Sequence, residues 1–301
     1  MYDQVGRNKR RSWLLVMTFF LFTTLSCVAI AYGFGLGSPG IAIAVAIAGA
    51  TAATSWWKSD AIALRVSRAQ PADPVVYARY HNLVEGLCIA SGLPKPRLYI
   101  VEDDAPNAFA TGRNPQNAAI AVTSGLLAKL DRVELEGVLA HELAHIRNYD
   151  IAVQTLSVVM LGTLVLLGDL ALRFAWFSPN RRSSRDVGPG PQAILALFGL
   201  VVIIVGPLIA QLFHFALSRR RETLADFSAV EMTRYPPGLI SALEKLRADT
   251  TVVRSGSRAT AHMWIEQPID EHRETSKLSW LNKAFNTHPP LEERIAALRE
   301  L

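Results

Sequence analysis

Cysteine is nearly absent from this chain. Its 301 residues hold two, Cys27 and Cys88. Cys27 falls in an apolar run and Cys88 in a mixed stretch, so neither a disulfide nor a cysteine metal site is expected. Internal repeats are absent too. Basic residues do not alternate with aromatics and no base-reading motif occurs, which argues against nucleic acid as a partner. Charge is missing from long blocks. Trp13 to Tyr32 has none, and neither has Gly33 to Trp57, Ile151 to Gly168 or Ala193 to Ala216. Runs of this length are rare in soluble proteins, and each is long enough to cross a hydrocarbon core of about 30 Å as a helix. A cleavable signal is not expected either. The first apolar run exceeds the usual signal core, and no clear small-x-small cleavage site follows it.

What remains is a membrane pattern. Half of the residues are hydrophobic and the mean hydropathy is +0.21. Arg7, Lys9, Arg10 and Arg11 precede the first block, and Lys58, Arg65 and Arg68 follow the second. The positive-inside rule places both flanks in the cytoplasm, with Trp13 and Trp56-Trp57 as interfacial anchors. The net charge of +5 is spread over these flanks and the run Ser218 to Arg221, which suits anionic lipid headgroups. One feature dissents: Arg181, Arg182 and Arg185 lie in the loop of the second apolar pair, where the same rule disfavours them.

The chemistry begins at His141-Glu142-Leu143-Ala144-His145. Asp131 offers an N-cap and Glu134 a capping box, and Leu135, Val138, Leu139 and Ile146 recur at helical spacing. On a helix, residues four apart share a face. Two imidazoles so placed can grip one zinc ion, with Glu142 beside it to handle a proton. A third ligand must come from elsewhere. Glu222 and Asp226 are four apart on a predicted helix whose Ala225 and Ala229 would let another helix approach. One carboxylate could bind the metal and the other accept the free N–H of a ligating histidine. A solvated carboxylate pair balancing the neighbouring arginines fits the spacing as well. Topology favours the metal: two apolar blocks between His145 and Glu222 return the chain to the same side.

Arg97 to Val101 and Ala118 to Val122 read as strands, with Asn107 to Gly112 between them. An exposed edge there would bind an extended peptide through its main chain. By local sequence alone Asn107 is a turn residue after Pro106, and His288 a surface histidine beside prolines. A helix is predicted from about Val75 to Ala90, carrying His81. The stretch Asp249 to Ser276 has no assignable motif and reads as a loop near the cleft, a candidate substrate gate.

Taken together, Asn107 to Gly112, Thr123 to Leu127, His141 to Asp150, Ser218 to Asp226 and Thr287 to Arg294 make the chain resemble the HtpX family of membrane-bound zinc metallopeptidases, relatives of the CAAX prenyl proteases. The resemblance covers nearly the whole chain. It implies one zinc ion held by His141, His145 and Glu222, with Glu142 as general base. It implies that Asp226 orients His141, that Asn107 ends the substrate-binding edge strand, and that His288 stabilises the oxyanion. Arg294 would fix the helix after His288 through an acidic neighbour. The implied activity is cleavage of unfolded or misfolded membrane proteins at the cytoplasmic face of a bacterial inner membrane.

The expected fold is a mainly α integral membrane protein with about four spans. A zincin-like α+β cytoplasmic domain would carry a small antiparallel sheet. The expected parts are a hairpin over 1–58, catalytic halves over 59–150 and 218–301, and a second hairpin over 151–217. Two rivals use the same features. A metal-ion transporter would want ligands at mid-depth in the bilayer, whereas these lie at its border. A catalytically silent chaperone or scaffold would not need the intact Glu142.

Overall fold

In the computed structural model, residues 2–33, 37–156, 158–159, 163, 219–251, 263–265 and 290–301 are described. The apolar block from Ala193 to Ala216, the loop arginines 181, 182 and 185, and His288 lie outside them. Helices α1 (Tyr2–Gly33) and α2 (Gly37–Val66) follow the two uncharged blocks and pack on each other. Among the described residues, α2 is the helix long and apolar enough to cross a membrane, and α1 carries a shorter apolar stretch, Val16–Val28. Thr23, Ser26 and Thr51 turn their hydroxyls onto the carbonyl four residues back, so these polar groups are satisfied within their own helix.

Four strands form one sheet: β1 (Gln70–Pro71), β2 (Arg97–Val101), β3 (Ala108–Gly112) and β4 (Ala118–Thr123), in the order β1-β2-β4-β3. The sheet is mixed, not antiparallel as expected. β1 and β3 run antiparallel to their neighbours, but β2 and β4 pair parallel from Arg97↔Ala119 to Val101↔Thr123. The reason is topological. β3 turns back at the outer edge, and β4 reverses again to fill the place between β3 and β2. Alternating side chains name a strand but not its direction.

Both faces of this sheet are covered. Ala118, Ile120 and Val122 of β4 belong to the main core, and Ala119 and Ala121 to a second cluster. That alternation is the period of two that any strand imposes. The main core joins α3 (Ala78–Ser91), α5 (Arg132–Arg147), α6 (Arg219–Thr233), α7 (Pro236–Ala248) and α8 (Leu291–Arg299); α4 (Ser124–Lys129) links β4 to α5. In the second cluster the last turns of α2, through Ala63 and Leu64, pack on the sheet beside Val158 and Trp264. Arg97 also pairs with Asp60 of α2. The apolar hairpin is therefore continuous with the sheet.

The capping box of α5 forms as expected. Asp131 Oδ1 accepts from the N–H of Val133 and Glu134, both at 2.9 Å, and Glu134 Oε2 accepts from the Asp131 N–H at 2.8 Å. Glu134 also accepts from Ser241 and Lys245 of α7, each at 2.6 Å. Gly137 lets α7 cross close by: a Cβ there would stand 2.8 Å from the Leu239 nitrogen. His81 sits on α3, its Nε2 3.0 Å from the Ala72 carbonyl. Both cysteines are free.

Candidate metal centre

α5 presents His141 and His145 one turn apart, and both are buried. Their rings meet nearly perpendicular, 87° apart with centroids at 4.7 Å. The two Nε2 atoms are 3.2 Å from each other. Glu222 of α6 closes the triangle: its Oε2 is 3.6 Å from His141 Nε2 and its Oε1 3.6 Å from His145 Nε2. Ala225 and Ala229, fully buried, keep the α5-facing side of α6 small, as the sequence implied. One ligand atom from each of the three residues lies within 4.8 Å of the others.

The remaining ring nitrogens explain why this triangle suits a cation. His141 Nδ1 is 2.9 Å from Asp226 Oδ1, and His145 Nδ1 is 3.1 Å from Asp150 Oδ2. A carboxylate facing Nδ1 places the ring proton there. The two Nε2 atoms then face each other across 3.2 Å, an arrangement satisfied by a proton or a metal ion between them. Tetrahedral ligands at about 2.0–2.1 Å from zinc stand about 3.4 Å apart, which matches the 3.2 and 3.6 Å separations.

Each carboxylate has its own arginine. Arg294 of α8 donates from Nε to Asp226 Oδ2 at 2.9 Å and from Nη2 to Oδ1 at 2.6 Å. Its Nη1 lies 4.0 Å from Glu222 Oε2. Arg221 donates to Asp150 Oδ1 at 3.4 Å. All five of these residues are at least 95% buried. Burial raises the Asp226 carboxyl, but Arg294 and His141 outweigh it and hold it below its ordinary range. Burial and Arg294 push the His141 imidazole down, yet Asp226 and Glu222 prevail and hold it at about 9. The field that favours a proton at His141 favours any cation in its place.

The sequence-predicted residues thus divide. His141, His145, Glu222, Asp226 and Arg294 converge, and the acidic neighbour expected for Arg294 is Asp226. Glu142 is buried on the same helix. Asn107 directly precedes β3; its N–H donates to Thr123 Oγ1 and its Oδ1 accepts from the Ala108 N–H. Asp150 and Arg221 were missed in their roles. Arg221 had been read as part of a lipid-facing basic run, whereas it is 5% exposed against Asp150. An aspartate five residues beyond the second histidine was the available signal.

The edge strand also differs from expectation. It was to be exposed, but all five residues of β3 are buried. From the stretch Asp249 to Ser276, the described Met263, Trp264 and Ile265 lie against it. Ile265 N–H donates to the Ala108 carbonyl at 3.0 Å, and Trp264 packs edge-on against Phe109 with centroids 4.7 Å apart. The chain covers its own strand edge at Ala108.

Comparison with known proteins now bears on this geometry. The model for peptidase family M48 matches residues 74–301. The chain belongs to peptidase family M48. It is accordingly a metalloprotease, with close relatives of matching length. A protein named Protease HtpX homolog from Dictyoglomus turgidum is 42% identical over 298 residues, covering 99% of this chain and 94% of the relative. Another of that name, from Streptococcus gordonii, is 39% identical over 303 residues, covering 100% of both. The crystal structure of S. mikatae Ste24p resembles the M48 peptidase described here in fold. The TM-score is 0.51 at 17% identity, over 99% of this chain and 67% of that one. As a whole, then, this is a mostly helical membrane metalloprotease of HtpX type, with a small mixed sheet.

Proposed function

We propose that this protein is a zinc-dependent endopeptidase that cuts misfolded or damaged membrane proteins at the cytoplasmic face of a bacterial plasma membrane, which it crosses several times. The observation that carries this reading is the meeting of His141, His145 and Glu222 around one point, with Glu142 on the same helix. The two imidazoles and the Glu222 carboxylate would hold the ion and leave a fourth position. When bound, zinc supplies a positive charge that acidifies water and polarises a peptide carbonyl.

The other steps fall to side chains. Glu142 takes the proton of the attacking water and later delivers it to the departing amine. Asp226 and Asp150 fix the ring orientation of His141 and His145. His288 donates to the oxyanion. Asn107 marks the start of the strand along which substrate lies. In β3 the main-chain groups of Ala108 and Ala110 point away from β4, because Asn107 and Thr123 form a hydrogen-bonded pair. An extended peptide pairing there displaces the Ile265 N–H from Ala108. Main-chain pairing reads unfolded backbone rather than sequence, which suits a quality-control enzyme.

The test is metal analysis of the purified full-length protein together with cleavage of an unfolded casein-type substrate. The reading requires about one zinc per chain, and cleavage that a chelator stops and added zinc restores. Cleavage that persists in chelator after the zinc is gone would overturn it.

A further inference from the structure

A cavity of about 250 Å³ lies where the apolar hairpin meets the catalytic half, far along the chain from any of the metal ligands' own elements except the end of α5. Its walls are Trp13 of α1, Trp56 of α2, the turn Arg113, Asn114 and Gln116 after β3, and Tyr149 and Ala152 after α5. Trp13 and Trp56 stack with centroids 5.8 Å apart. Among the described residues, no carboxylate lines the cavity and Arg113 makes no ion pair. Arg10, three residues before Trp13 and exposed, shares its helical face. The site is thus positive, with amide, indole and phenol groups around it. Tryptophans one turn from basic residues mark headgroup depth in a bilayer.

Trp13 also begins an apolar stripe. Met17, Leu21 and Leu25 follow at intervals of four, and all are exposed. The cavity is too small for a whole lipid, but Trp13 both lines it and begins this stripe. We infer that the cavity binds the headgroup phosphate of an anionic phospholipid through Arg113, with an acyl chain lying along Met17, Leu21 and Leu25 of α1. A soluble anion would need no such stripe. The inference rests on the membrane reading of the hairpin and not on the peptidase chemistry. A lipid seated there bridges α1, α2 and the turn that ends β3.

The experiment uses full-length protein in a mild detergent, offered phosphatidylglycerol or phosphatidylcholine with identical chains, with retained lipid counted by native mass spectrometry. The wild type should retain phosphatidylglycerol in preference to phosphatidylcholine. Arg113→Gln should lower phosphatidylglycerol retention about fivefold and leave phosphatidylcholine unchanged. Trp13→Ala should weaken both lipids, since it removes the shared wall. Zinc content and cleavage of a soluble peptide in detergent should stay at the wild-type level in Arg113→Gln, which separates this site from the catalytic one. Equal retention of the two lipids by the wild type, or unchanged phosphatidylglycerol retention in Arg113→Gln, overturns the proposal. So does full displacement of the lipid by millimolar inorganic phosphate, which would mark a simple anion site. Should Arg113→Gln fail to fold, Arg113→Lys keeps the charge and should still prefer phosphatidylglycerol, and equal retention of the two lipids by that folded variant overturns the proposal.

Discussion

The two halves of the metal centre hold their histidines by one device built to different tightness. On the His141 side, Asp226 is gripped by Arg294 through two bonds of 2.6 and 2.9 Å. On the His145 side, Arg221 Nη1 stands 3.4 Å from Asp150 Oδ1, a longer approach than either of those. The connectivity differs as well. Asp150 is five residues from His145, so the aspartate is local even though its Arg221 stands on α6. The His141 support spans α5, α6 and α8, and Arg294 lies 153 residues away from the ring it steadies. The Asp150 support is local apart from Arg221 and joins only α5 and α6. The other exists only once the C-terminal helix has docked, so completion of the site is tied to completion of the fold.

The largest effect should come from the residue that belongs to neither support. Glu142→Gln leaves both Asp–Arg pairs intact and removes the proton acceptor. Cleavage should fall by roughly 10²–10⁴-fold while zinc content is retained. Loss of zinc in this variant would mean that Glu142 helps to hold the ion, and the separation between holding and reacting would fail. Next comes Asp226→Asn. It leaves a buried Arg294 without its countercharge, and breaking such a pair costs about 3–5 kcal/mol. Zinc affinity should drop toward 100-fold, the upper end for partners of metal-bound histidines, and the melting temperature should fall with it. Asp150→Asn should cost nearer 10-fold in affinity, with a smaller loss of stability. Competition against a chromophoric chelator orders the two. If Asp150→Asn proves the worse, the asymmetry seen in the distances does not govern the site.

Much of this site was legible in the sequence, for a physical reason. Ligand spacing on a helix is fixed by its period, so His141 and His145 could be placed on one face before any coordinates. Glu222 and Asp226 obey the same period, but spacing alone left their roles interchangeable. Only the facing of Asp226 on Nδ1 and Glu222 on Nε2 separates them. Asp150 escaped because it follows the turn at Asn148 and Tyr149, where helical periodicity no longer applies, and Tyr149 adopts a positive φ of 61°. Arg221 was misread because a basic run looks solvated unless a buried partner is known. In the fold, the strands of β2 and β4 were found by alternation, but their parallel pairing was not, because direction depends on the path of β3. The covering of Ala108 by Ile265 joins residues 157 positions apart, and no local pattern encodes it.

The smallest predicted effect lies at the far end of α5, where a third ionic anchor offers a control. Glu134 is buried like the metal-centre carboxylates, but its partner Lys245 is half exposed. Burial raises the Glu134 carboxyl, while Lys245, Ser241 and the Asp131 N–H lower it more, so the folded value is depressed. A depressed carboxylate stabilises the fold above its unfolded pKa of about 4.3, and that contribution fades as pH falls through the folded value. Glu134→Gln should therefore lower stability by about 1–2 kcal/mol near neutral pH. The gap to the wild type should close as the pH drops below about 4. Zinc affinity at pH 7 should be unchanged, because both histidines lie about two or more turns further along the helix. Thermal melting over a pH series, read beside zinc titration, checks both parts. A gap that persists at low pH would assign the role of Glu134 to packing rather than charge. A change in zinc affinity would show that docking of α7 on the start of α5 reaches the metal centre as docking of α8 does.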